Sequence, residues 1–211
     1  MTFISDIDIA NMALSHVGAS SDIESFSEKS VEAIQCRAWY DQSRLMALAA
    51  FDWGFARKRL TAALHGDVIS ETATDPLAGV WGFRYEYPAD CVVMRKIQSS
   101  IAPPNDFVPF NIETSLNGQE KTVLTDMEDA VFVFTFDQKG TELFSPMFVQ
   151  AHSHLLASQI AFAVTRKRKI KTEQFSLYQF VLRSAAAEDV NEGIEKPVRD
   201  AEVVRDGFGS A

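Results

Sequence analysis

The chain has 211 residues, 46% hydrophobic and 23% charged, with a formal charge of −9. That length holds one generous domain, or a core domain with a smaller insert. The acidic balance argues against a general nucleic-acid binder, which carries a basic surplus. The acidic opening MTFISDIDIANMAL lacks the basic region of a secretory signal.

Ser5 with Asp8 three residues on resembles a capping box. Ile7, Ala10, Leu14 and Val17 then follow helical spacing, and Gly18 ends this first helix. Ser20 to Ser30 is a polar connector anchored by Ile23 and Phe26. A long helix is predicted from Ser27 or Ser30 to Trp53, spanning roughly 35 Å. Val31, Ile34, Ala38, Leu45 and Leu48 make one apolar stripe. Cys36, Tyr40, Ala47 and Phe51 make a second, and Trp39, Met46, Ala50 and Trp53 a third. Its polar residues gather in the single turn Asp41–Arg44, which rules out a membrane span of about 20 apolar residues. A helix apolar on every side is buried on every side. Either it is the centre of a single-chain bundle, or it is shared between an internal core and a subunit interface.

Glycines and prolines break the region from His65 to Asp90. Phe83, Tyr85 and Tyr87 alternate with Arg84 and Glu86 at strand spacing, and Cys91–Ile97 is a second strand. Asn117-Gly118 between Asn111–Leu116 and Gln119–Thr125 predicts a type I′ hairpin, in which both central residues take positive φ. Ala130–Phe136 closes a β-rich insert. Ser145-Pro146 opens a helix running to Arg166, with Phe148, Leu155, Leu156, Ile160 and Phe162. A last helix starts near Thr172, presents Phe175, Tyr178, Phe180, Val181 and Leu182, and ends at Gly193. The tail EKPVRDAEVVRDGFGSA is too poor in apolar residues to fold alone. The expected fold is α+β, mainly α. Residues 1–62 and 141–193 form a helical bundle, 63–140 a β-rich insert and 194–211 an extended C-terminal arm.

Chemistry is sparse. His152-x-His154 points in two directions from one helix, and His16 and His65 lie in other segments, so no metal set is expected. The carboxylate pairs Glu24/Glu28 and Asp126/Glu128, with Asp129, read as solvated charge rather than a glycosidase pair. No nucleophile elbow, phosphate loop or zinc-protease motif occurs. Cys36 and Cys91 lack CxxC partners and read as buried small hydrophobes in a reducing compartment. No catalytic residue, cofactor or metal is assigned. Arg166–Lys171 is a basic block in an acidic chain. It reads either as cations complementing a helix C-terminus or as a contact with DNA or an acidic neighbour. Arg57-Lys58-Arg59 poses the same choice. Arg44 can pair with Asp41 or reach another helix, and with Tyr40 beside them a buried polar knot is expected there.

ALSHVGA at Ala13–Ala19, CRxxYDxxR at Cys36–Arg44, Trp53-x-Phe55-Ala56, and Trp81, Tyr85 and Pro88-x-Asp90-Cys91 come in a telling order. Together they resemble podophage tail tubular protein A, the head-to-tail adaptor or gatekeeper family of short-tailed phages. The resemblance covers residues about 7–97 well and the two late helices loosely; the connector after Gly18 is serine-rich where some members carry proline. It implies a structural virion protein, not an enzyme, made and assembled in the host bacterial cytoplasm and located in the tail or neck. It further implies a dodecameric ring below the portal protein that receives the nozzle protein (tail tubular protein B). Genomic DNA would pass through its channel at ejection without sequence-specific binding, and no membrane is involved. The C-terminal arm would dock on the portal through Val203, Val204, Arg205 and Phe208. Trp39, Asp41, Arg44, Met46 and Trp53 are the subunit-interface candidates. Two alternatives are a tail-associated peptidoglycan or polysaccharide hydrolase and a head-completion connector of a long-tailed phage.

Overall fold

The computed structural model describes residues 4–69, 76–99 and 108–192. Four helices and two three-stranded antiparallel sheets make an α+β, mainly α molecule. Helix α1, Asp6–Val17, begins with the capping box: Ser5 Oγ accepts from the Asp8 amide, and the Asp8 carboxylate accepts from the Ser5 amide. It ends on Gly18 at φ 71°, the left-handed conformation that glycine adopts without a Cβ penalty. Helix α2, Val31–Ala50, starts on the Ser30 side-chain cap. Helix α3, Pro146–Thr165, starts on the Ser145 cap with proline in its first turn. Helix α4 is Arg168–Glu192.

The most enclosed helix is α3, not α2, with Gln150 and Phe162 exposed. It packs against α1, α2 and α4 together. Phe148, Ala151, His152, Ser153, Leu155, Leu156, Ala157, Ile160 and Ala161 are almost fully enclosed. Its small residues Ala151, Ser153, Ala157 and Ala161 let three neighbours approach, a pattern that sequence spacing does not separate from mere hydrophobicity. Helix α2 instead buries one stripe, Ala33, Cys36, Tyr40, Ser43, Arg44, Ala47 and Leu48. It also stops at Ala50 rather than reaching Trp53, because Phe51 turns to an extended conformation.

The β unit begins earlier than residue 63. Arg57–Thr61 is strand β1, pairing antiparallel with β6, Ala130–Phe136, which also pairs with β3, Cys91–Ser99. The second sheet orders β2, Phe83–Glu86, beside β5, Lys121–Thr125, beside β4, Phe110–Thr114. Tyr85, Met94, Ile97, Val123, Phe132 and Phe134 fill a core of their own. The β4–β5 turn departs from type I′: Gly118 alone takes positive φ, at 72°, and its amide donates to the Ser115 carbonyl. The loop is therefore longer than two residues, with Asn117 Oδ1 accepting from Ser115 Oγ and the Gln119 amide.

Helix α4 starts at Arg168, before the expected Thr172. Only Arg166 and Lys167 separate it from α3, so the basic block spans the hinge between the two helices rather than a helix C-terminus. Gly193 and residues 194–211, including Val203, Val204, Arg205 and Phe208, lie outside the described residues. Among the described residues no helix is long and apolar enough to cross a membrane.

Candidate functional site

The interface candidates on and just past α2 separate into two sets. Trp53 is 1% exposed. Its indole Nε1–H donates to the Ala47 carbonyl at 2.9 Å, and its ring packs on Phe51, Phe55 and Phe148. It therefore belongs to the chain's own core, because the chain folds back at Ala50 and carries it under the helix end. Arg44 is also spent internally: it pairs with Asp137, donates to the Gln138 carbonyl at 2.8 Å and meets Asp41 at 3.3 Å. Neither Trp53 nor Arg44 faces a neighbour. Trp39 and Met46 do face outward, 36% and 42% exposed, along with the exposed carboxylate of Asp41.

Around Trp39 and Met46 lies one continuous face. Val31 is 54% and Ile34 40% exposed, with Ala38 exposed and Leu45 half-buried among them. At 100° per residue these six fall on the side of α2 opposite its buried stripe. The expected first stripe thus points out except at Leu48, which is buried, and the second, with Cys36, Tyr40 and Ala47, points in. A second apolar face lies on α4. Gln174, Tyr178, Val181 and Ala185 are buried against the bundle, while Leu177 and Phe180, three apart, are exposed on the outer side; Phe175, also exposed, lies on the other flank beside Tyr178. Helices α2 and α4 both pack on α3 and scarcely touch each other. The two faces therefore belong to different flanks of the bundle.

The polar knot under α2 sets how the helices register. Ser43 Oγ donates to the Tyr40 carbonyl at 2.9 Å, which uses its one hydrogen, so the 3.0 Å contact with His152 runs from His152 Nε2–H. His152 Nδ1 is left as a buried lone pair with no partner. Burial, reinforced by nearby Arg44, pushes the imidazole down to about 4, so it stays neutral. Tyr40 reaches α1 through its hydroxyl, which donates to Asp6 at 2.9 Å; burial and that carboxylate push its phenol well above the usual range. A second weld joins α1, α3 and α4. His16 stacks on His154 with centroids 4.1 Å apart, His154 donates to Gln174, and Gln174 donates to the His16 carbonyl. Burial and the neighbouring His154 lower the His16 imidazole.

Arg95 joins the β unit to the bundle, a role that strand spacing concealed. The β3–β6 register skips between Met94 and Lys96, a bulge that leaves Arg95 unpaired on the ladder and re-aims its side chain. Its guanidinium donates to the carbonyls of Leu48, Ala49 and Phe51 and to Thr135 Oγ1. It thereby caps the C-terminus of α2, which has no glycine to do so.

The remaining candidates are placed as follows. Glu28 accepts from the amides of Glu24 and Ser25, a local turn closure. Asp126 accepts from the Gly82 amide, and Glu128 and Asp129 are exposed on the β5–β6 turn. A cleft of about 500 Å³ opens in the β unit, lined by His65, Glu86, Tyr87, Cys91, Glu120 and Lys121. Neither carboxylate pair lines it. His65 bridges the Glu120 carboxylate and the Asp67 amide, so both ring nitrogens are engaged. Cys36 is buried and free, its thiol pushed up to about 12; Cys91 is free and half-buried, donating to the Tyr87 hydroxyl. Among the described residues no cluster of three or more His, Cys, Asp or Glu forms a metal site. No protein-family model matches the chain, and no curated protein is significantly similar to it.

Proposed function

We propose that this chain is a structural virion protein, a subunit of the adaptor ring that joins portal to tail nozzle in a short-tailed phage. The observation that carries the reading is the pair of unpartnered apolar helix faces. One is Val31, Ile34, Ala38, Trp39 and Met46 on α2; the other, smaller, is Leu177 and Phe180 on α4. A ring closed by rotation uses two different surfaces per subunit, one received by the next copy and one presented to the last. Two separate faces on flanks of one rigid bundle supply that requirement. The motif order from Ala13 to Cys91 supports the same family of adaptors.

In this reading the bundle makes the ring wall and the β unit faces one neighbour in the tail, the nozzle protein. The arm 194–211 docks on the portal, and genomic DNA passes through the lumen. Twelve copies at −9 each carry about −108, which discourages the DNA backbone from adhering to the wall. Cryo-electron microscopy of the protein mixed with its cognate portal tests this. A twelve-membered ring seated beneath the portal, with α2 of one copy against α4 of the next, is the expected image. Failure to bind the portal, or a ring closed through the β units alone, overturns it.

A further inference from the structure

The α3–α4 hinge breaks two local rules at once. Arg166 holds φ 60°, and among the described residues no other non-glycine takes positive φ. A side chain there is strained in a way that glycine or asparagine would largely avoid. The first turn of α4 then carries Arg168, Lys169 and Lys171 and no acidic residue, although the positive end of the helix dipole disfavours cations there. Arg166, Lys167, Arg168, Lys169 and Lys171 are all exposed. Their internal neutralisation is slight: one exposed pair, Lys169 with Glu173 at 3.4 Å, and Arg168 lying 5.6 Å from the Phe162 ring centroid. Ile170, the apolar residue of the block, turns inward onto the core and so fixes the cations outward.

The placement matters as much as the charge. Helix α2 runs antiparallel to α3, with Tyr40 and Ser43 at His152 and Trp53 at Phe148. The chain enters and leaves the β unit at the N-terminal end of α3, so the hinge sits about 30 Å away, at the opposite pole. With five cations on the hinge and a total of −9, the rest of the chain carries −14. On that acidic background the hinge concentrates five cations with a single ion pair among them, whereas in the exposed cluster Arg57-Lys58-Arg59, Arg57 meets Asp52 at 2.9 Å and Lys58 meets Asp90 at 2.6 Å.

We infer that the hinge Arg166–Lys171 is a nucleic-acid contact that grips the phosphate backbone without reading sequence. Phosphate is the chemistry that suits it: closely spaced flexible lysines and two guanidiniums, all exposed. Three to five phosphates neutralised at one pole give a weak contact, readily broken by salt, that lets a strand move past the molecule. The contact is a property of a single chain and stands independently of ring formation.

Fluorescence anisotropy of the full chain with a labelled duplex of mixed sequence, and with a scrambled duplex, tests this across a salt series. Binding is expected at low salt with no preference between duplexes. Affinity should fall about 40- to 500-fold between 50 and 200 mM salt, as three to five neutralised phosphates require. The triple variant Lys167→Glu, Lys169→Glu, Lys171→Glu should abolish binding while keeping the parental helical circular dichroism. The triple lysine-to-arginine variant and Lys29→Glu should retain it. Absence of duplex binding at 20 mM salt, or equal binding by the charge-reversed chain, overturns the inference. So does salt-sensitive self-association that the charge reversal removes without any duplex binding, which would assign the hinge to an acidic protein surface instead.

Discussion

Arg44 holds a full charge inside the bundle, its side chain 3% exposed, and spends it on Asp137, the Gln138 carbonyl and Asp41. Truncation would leave the Asp137 carboxylate half-buried and without its guanidinium. Arg44→Ala is therefore expected to lower stability by about 2–4 kcal/mol in urea unfolding. A parental midpoint would show that the knot does not fix register. The knot also makes the bundle acid-sensitive. His152 binds a proton at about 4 in the folded chain, against an ordinary value of 6.5 once unfolded. Its contribution is complete above pH 6.5 and is lost as pH falls toward 4, because the unfolded chain then takes up the proton first. The groups around it are Tyr40, Asp41 and Arg44 on α2 and Asp6 on α1, and none offers Nδ1 an acceptor for that proton. Lowered His16 acts in the same direction. Thermal melts from pH 7.5 to 4.5 should fall steeply for the parent and less steeply for His152→Leu; parallel curves would remove His152 as the cause.

At the scale of elements, capping chemistry was readable and burial was not. Ser5, Gly18, Ser30 and Ser145-Pro146 mark helix ends because each satisfies orphan backbone groups locally, within a few residues of the signal. The end of α2 was misread because its cap, Arg95, comes from a strand more than forty residues away. Strand β1 was not legible because an exposed edge strand shows no alternation; all five of its residues are exposed, and Arg57, Lys58 and Arg59 form its basic part. The two tryptophans of α2's third stripe part company for a similar reason: Trp39 lies within the helix and faces out, while Trp53 lies past its end and folds under. Substitution separates them. Trp39→Ser with Met46→Ser should shift stability by about 1 kcal/mol or less and abolish ring assembly on the portal. Trp53→Ala should cost about 3–5 kcal/mol, through the cavity it leaves. Unfolding midpoints and gradient sedimentation with the portal check both; a ring-competent double variant would remove the α2 face from the interface.

For the whole molecule, the bundle and the β unit each have a core, and Arg44 and Arg95 tie them together at the N-terminal end of α3. The sequence of residues 194–211 is too poor in apolar residues to build a core of its own. Truncation after Glu195 is therefore expected to leave the thermal midpoint unchanged and to abolish attachment to the portal. Normal co-sedimentation of the truncated chain with the portal would refute the docking role of Val203, Val204, Arg205 and Phe208.

What the amino-acid sequence determined by itself was local: the helix caps, the alternating strands, the β insert between two helical ends, and an acidic chain with two basic clusters. Those properties follow from spacing and backbone chemistry over a few residues. Only the tertiary structure decided which apolar helix is central, which α2 stripe faces out, and that the basic block occupies a hinge at the far pole. Each of these depends on which neighbour removes a side chain from water. Three apolar stripes of similar composition on one helix do not encode that choice until α1, α2 and α4 compete for the surface of α3.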